Sequence, residues 1–240
     1  SGISEKIANN MIDKKVRNNV DNALKYIKKN NINVISVFDD DYPQMLKEIY
    51  APPICLYIKG NLQLLKMQNI SLIGCRKCSQ YGKKTAYYFS YNLSKAGFNI
   101  VSGLARGIDS YSHIGCLAAK GKTIAVMGSG LDNIYPKENE QLVNEIIKQN
   151  GAIITQYPLG TKPEKNNFPA RNRIISGLSK AVLVIEARAK SGTLITVDFA
   201  LEQGKDVFAV PGNINSANSV WTNELIKQGA IPVCNYKDIL

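Results

Sequence analysis

From Asn69 onward one unit recurs along the chain: a short apolar run, a turn rich in glycine or small residues, then a helical stretch. The pattern predicts strands over Ile70–Gly74, Asn99–Gly103, Thr123–Gly128, Ala152–Thr155, Ala181–Glu186 and Asp206–Pro211. It predicts helices over Tyr81–Lys95, Ile108–Lys120, Asn139–Gln149, Phe168–Leu178 and Leu194–Gln203. A last helix at Asn223–Lys227 leads to Ile231-Pro232-Val233. Short β-rich runs alternating with helices call for a mostly parallel sheet covered on both faces. Right-handed crossovers then put every strand-to-helix turn on one edge, where ligands of such sheets bind.

The expected fold class is therefore α/β, a Rossmann-like doubly wound sheet. A small helical segment precedes it. Residues 4–36 read as helical and polar, with Ile7, Met11, Val16, Val20, Leu24 and Ile27 at helical spacing among Lys and Asn. That is too little apolar surface for a strong core. Asp39-Asp40-Asp41-Tyr42-Pro43 breaks the helix, and Ile54–Ile58 reads as a short strand. The expected division is 1–38 as a helical extension and 39–240 as the sheet domain.

Charge bears on the partner. The 240 residues carry 30 Lys and Arg against 19 Asp and Glu, a net charge of +11. Such a balance favours an anionic partner: nucleic acid first, then a membrane surface, then a phosphorylated metabolite. No apolar run reaches the ~20 residues of a membrane span. The N-terminus lacks a signal-peptide stretch, and five cysteines is an odd number. The expectation is a cytoplasmic protein with reduced thiols and no membrane association.

The turns carry the functional argument. They read Gly74-Cys75-Arg76, Ser102-Gly103-Leu104-Ala105-Arg106-Gly107, Gly128-Ser129-Gly130, Lys190-Ser191-Gly192-Thr193 and Pro211-Gly212-Asn213. Lys165, Phe168 and Arg171-Asn172-Arg173 stand at the start of another helix. Glycine admits a ligand to the backbone, and helix N-termini aim free N–H groups outward. Each turn alone is equally explained by sheet sterics. Six along one edge, several with Arg or Lys, suggest an extended anion. A dinucleotide is disfavoured, because Gly128-Ser129-Gly130 lacks the third glycine of the fingerprint. No Walker A sequence is present. No cofactor and no metal are expected.

Several motifs stand in order: Ser102–Asp109, Gly128–Asp132, Tyr135-Pro136, the run Phe168-Pro169-Ala170-Arg171-Asn172-Arg173-Ile174-Ile175-Ser176-Gly177-Leu178-Ser179, Ser191-Gly192-Thr193, Val210–Asn213 and Leu225–Ala230. Together they resemble the bacterial DNA-processing protein A family (DprA, also Smf), over about residues 39–240. The resemblance implies a Rossmann-like domain that binds and protects single-stranded DNA and helps load the RecA recombinase in natural transformation. It also implies a homodimer. Many members carry a small N-terminal helical domain, of which residues 4–36 would be the end. Some carry a C-terminal winged helix, which is not expected before Leu240.

The resemblance also implies roles for residues. Arg76 would meet a phosphate, against the alternative of pairing with a nearby Asp. Lys137 and Lys165 match basic positions of the family's DNA pocket, or are solvated loop lysines. Phe168 would stack a base, or staple the helix start into the core. Of Arg171 and Arg173, one would face the groove. The other would tie the helix to the sheet, through Glu186; the sequence leaves open which. Ser102, Gly103, Arg106, Gly128, Ser129, Asn172, Ser191 and Gly192 complete the expected DNA contacts. Asp109 reads as orienting its turn, and His113 as structural, hydrogen-bonded near that turn. Cys75-Arg76-Lys77-Cys78 reads as a coincidental C-x-x-C, although the intervening basic pair would depress the thiol pKa values. Two departures from the family stand out: Gln156 where it usually has Glu, and Trp221 where it usually has Gly. Trp221 is a second candidate for stacking a base.

No triad or P-loop is legible, so the expectation is a binding protein rather than an enzyme. The competing reading is a nucleoside-monophosphate phosphoribohydrolase-like enzyme. Ser191-Gly192-Thr193 echoes half of that motif, with Glu202 as its weak acid candidate.

Overall fold

The computed structural model describes residues 14–189 and 191–240. The early part of the expected helical appendage, residues 4–13, lies outside them. Helix α1 covers Lys14–Lys29. It ends where Asn31 takes a positive φ of 51°. The helical expectation is then corrected: Ile32–Ser36 is strand β1, paired antiparallel with β2 (Cys55–Gly60). Ile32 and Ile35 are buried and three residues apart, a spacing that fits a helix row as well as this strand. The short helix α2 spans Gln44–Lys47, and a 3-10 turn spans Leu62–Lys66.

The remaining elements follow the expected alternation. They are β3 (Asn69–Gly74), α3 (Gln80–Lys95), β4 (Asn99–Ser102), α4 (Ile108–Ala118), β5 (Thr123–Val126), α5 (Glu140–Lys148) and β6 (Ala152–Thr155). Then come α6 (Asn167–Gly177), β7 (Ala181–Glu186), α7 (Gly192–Glu202), β8 (Asp206–Ala209), α8 (Val220–Lys227) and β9 (Ile231–Pro232). The sheet order is β1-β2-β6-β5-β4-β3-β7-β8-β9. Among the described residues the pairs β1/β2 and β2/β6 are antiparallel and the rest are parallel.

Strand periodicity sorts the core into two faces. Ile73, Val101, Val126, Val184 and Ala209 meet Leu46, Ile174, Val197 and Leu225 of α2, α6, α7 and α8. On the other face Ile70, Leu72, Ile100, Leu183 and Phe208 meet Ala86, Phe89, Leu93 and Cys116 of α3 and α4. Val143 and Ile146 of α5 close that face over Ala125 and Ile153. Both faces of the parallel strands are thus sealed, which explains their unbroken apolar runs.

The chain winds outward from β3 through β4, β5 and β6, then returns to β7 on the other side of β3. The turns after β3 and β7 therefore diverge, leaving a crevice between them. Among the described residues no helix is long and apolar enough to cross a membrane.

Candidate nucleic-acid interface

A groove of about 680 Å³ opens at that crevice, lined by the turns after β3 and β7 and the start of α6. It is several times the size of one phosphate and suits a nucleotide or a run of them. Among the described residues its cations are Arg76, Lys77, Lys165, Arg171 and Arg188, and Asp109 is its carboxylate.

The turn after β3 is held open from below. Gly107 adopts a φ of +76°, and a Cβ there would fall 2.4 Å from the Cys75 carbonyl and 2.5 Å from that of Arg76. No other residue type fits this contact, so Gly107 fixes the Arg76 backbone against the start of α4. Arg76 itself is exposed, and its guanidinium carbon lies 5.3 Å from the Phe168 ring centroid. It makes no ion pair among the described residues. Its partner is thus an aromatic face, not the Asp that the alternative reading required.

Phe168 is half-buried and sits against Gly128. Tyr135 lies 5.6 Å from it, tilted by 46°, and Arg171 is 5.9 Å from its centroid. Tyr135 is 41% exposed, so the aromatic pair keeps an open edge toward the groove. Tyr135 was not among the sequence candidates, although Tyr135-Pro136 was visible as a motif.

Arg171 answers the question of the two arginines. It is buried and donates to the carbonyls of Gly103 (2.8 Å) and Val126. Burial drives its pKa down to about 10, opposed by the charge of Asp109. Burial pushes Asp109 upward, while Arg171 and the N–H groups of Gly103 and Ala105 pull it back. A Cβ at Gly103 would collide with both side chains, at 2.7 Å from Asp109 and 2.9 Å from Arg171. Arg173 points elsewhere, donating to the Ala51 carbonyl (2.9 Å) and to Gln156 Oε1 (2.6 Å). Both arginines tie α6 down, and neither uses Glu186. That carboxylate accepts instead from Ser79 N (2.9 Å), Ser79 Oγ and Asn218 Nδ2 (2.9 Å), capping the start of α3.

The other expected contacts divide. Asn172, Ser191 and Gly192 line the groove with Lys165. Ser191 caps α7 by accepting from Thr193 N, leaving the helix start facing the groove. Lys190 lies outside the described residues. Gly103 and Arg106 line a smaller recess on the other side of Phe168, with Tyr135 and Pro136. Arg106 there is paired with Glu138, Nη2 to Oε2 at 2.7 Å. Lys137 is exposed but lines neither space. Ser102 and Ser129 are buried, donating to the carbonyls of Leu72 and Asn133, and cannot reach a ligand. Arg188, just past β7, was missed; it is exposed, lines the groove and bonds Asn218 Oδ1.

Three further expectations are corrected. Cys75 is pushed up to about 11 and Cys78 upward, both chiefly by burial, so the adjacent basic pair does not make reactive thiolates. Trp221 packs against the core rather than the groove. His113 hydrogen-bonds Thr123 Oγ1 at 2.7 Å, on β5 rather than at the turn. Among the described residues no cluster of three metal-binding side chains occurs.

The family model for DNA recombination-mediator protein A matches residues 33–240. The chain belongs to that family. It is 43% identical over 218 residues to the DNA processing protein DprA of Bacillus subtilis, covering 90% of this chain and 73% of that protein. The X-ray structure of DprA from Streptococcus pneumoniae superposes with a TM-score of 0.83 at 42% identity, covering 90% of this chain and 76% of that one. A Helicobacter pylori DprA structure, described for its single-stranded DNA binding mode, gives 0.78 at 31% identity, covering 87% and 93%. Membership places the chain among DNA-processing, recombination-mediating proteins.

Proposed function

We propose that the groove between the turns after β3 and β7 holds the backbone of single-stranded DNA. The observation that carries this is Arg76: exposed, free of any carboxylate partner among the described residues, and resting on Phe168 at the groove mouth. A guanidinium there meets phosphate while the Tyr135–Phe168 edge takes a base. Asn172, Ser191, Gly192 and Lys165 extend the polar wall, and Arg106 and Gly103 border the strand across Phe168. Lys137 acts at longer range, through charge alone.

In this reading the protein is a mediator, not an enzyme. It protects incoming strands in the cytoplasm and hands them, as a homodimer, to a RecA-type recombinase during transformation. The hydrolase alternative finds little support. Asp109, the carboxylate of the groove, is tied to two backbone N–H groups. Glu202 is exposed at the far end of α7. We also place the boundary between helical extension and sheet domain before β1 rather than at residue 38.

Titration of fluorescent oligo-dT at low and moderate salt tests the reading. Affinity is expected to fall with a log–log slope of about −0.7 per neutralised phosphate. Absence of binding at low salt would sink it, and release of free base from nucleoside monophosphates would favour the enzyme.

A further inference from the structure

Helix α3 carries a surface that the groove does not use. Its sequence, QYGKKTAYYFSYNLSK, holds three lysines and no acidic residue. Phe89, Ala86 and Leu93 point into the core. Lys83, Tyr87, Tyr91 and Lys95 stand four residues apart and so along one side of the helix, Tyr87 and Lys95 exposed and Lys83 and Tyr91 half-buried. Tyr87 and Tyr91 are stacked, 6.1 Å between centroids and 15° between planes. Lys95 lies 5.8 Å from the Tyr91 ring, and Lys83 lies 5.5 Å from the ring of Tyr111 on α4. A stacked tyrosine pair is therefore flanked by a lysine at each end, over about 18 Å of the helix.

No carboxylate of these two helices offsets those lysines. In α4 the acidic residue is Asp109, which is buried and turned toward Gly103. The row also begins beside the groove. Tyr111 N donates to the carbonyl of Gly107, the residue packed on Arg76. Lys83 is one turn from the Ser79 cap of α3, three residues beyond Arg76.

We propose that this face of α3, with Tyr111, is a second track for single-stranded nucleic acid, continuing from the groove. Ammonium groups flanking tyrosine rings suit a sequence-tolerant strand path: charge for phosphates, and ring surface for bases, most of it on exposed Tyr87 with half-buried Tyr91 and Tyr111 beside it. Free-standing ion pairing would need acids, and a buried protein contact would favour fewer lysines. The proposal rests on the groove reading for its starting point, and predicts a footprint longer than the groove alone.

The test compares oligo-dT of about 6 and about 25 nucleotides. The variant combines Lys83→Gln, Tyr87→Ala and Lys95→Gln, all at positions outside the core. It is expected to bind the short oligonucleotide as the parent does and the long one about tenfold more weakly. Its salt slope on the long strand should be shallower by about 1.4, for two lost phosphate contacts. Tyr87→Phe, which keeps the ring, should retain long-strand affinity. Arg76→Ala should weaken both lengths. Unchanged long-strand binding by the triple variant overturns the track while leaving the groove intact. Equal loss on both lengths also overturns it, since the face would then act only through the groove. Unchanged binding by Arg76→Ala would instead refute the groove reading.

Discussion

The turn after β4 and the turn after β3 look alike in sequence: both are short, glycine-bearing and armed with an arginine. In the structure they do opposite things. The β4 turn is consumed from within. Ser102 is bonded to Leu72, Gly103 is wedged between Asp109 and Arg171, and Arg106 is paired with Glu138. The β3 turn is left open, with Arg76 and Lys77 exposed over the crevice. A glycine-rich turn can thus serve packing or access. What separates the two is whether the polar groups around it already have partners.

The comparison is most exposed to failure at Arg171. Arg171→Ala would leave Asp109 buried without its counter-charge and two carbonyls without a donor. We expect a loss of about 3–5 kcal/mol in urea unfolding. A loss under about 1 kcal/mol would mean the β4 side is not internally knitted. His113, on the same buried side, gives a pH test. Burial lowers it to about 3. The unfolded chain takes up the proton first, so this contribution is complete above pH ~6.5 and shrinks as pH falls toward 3. The expected slope is about 1 kcal/mol per pH unit, and His113→Gln should flatten it.

Arg76→Ala probes the open side. Stability should change by less than about 0.5 kcal/mol, while oligo-dT affinity falls about tenfold. The smallest effect concerns Arg173. Gln156→Glu would convert its hydrogen bond into an ion pair, raising the unfolding midpoint by an amount equivalent to about 0.5 kcal/mol. No change would show that Arg173 is held by the carbonyls of Ala51 and Ala170, to both of which it donates, alone.

The sheet from β3 onward was legible because its strands are buried on both faces and its helices lie between them at regular intervals. β1 was not, because Ile32 and Ile35 stand at helical spacing and are buried on opposite faces of the sheet, so no period-two alternation shows. At the site, the sequence pointed to Arg76, Phe168, Asn172, Ser191 and Gly192, which do meet at the groove. It grouped with them Ser102 and Ser129, whose hydroxyls turn inward, because a motif does not reveal which way a small side chain points. Much of the long Phe168–Ser179 run keeps the fold: Arg171 anchors to carbonyls, and Ser71 bonds both the Ile175 carbonyl (2.9 Å) and Ser179 Oγ (2.7 Å). Glu186 was read as an arginine partner, but it carried a different signal. A glutamate closing an all-apolar buried strand needs donors, and the start of a helix supplies them.

The central claim is that the open turn after β3 grips the strand, while the knitted turn after β4 only borders it. The direct measurement is the slope of log affinity against log salt for oligo-dT, taken with the unfolding midpoint of each protein. Arg76→Ala should show the parent's midpoint and a slope shallower by about 0.7. A slope identical to the parent's, with the midpoint unchanged, would contradict the account.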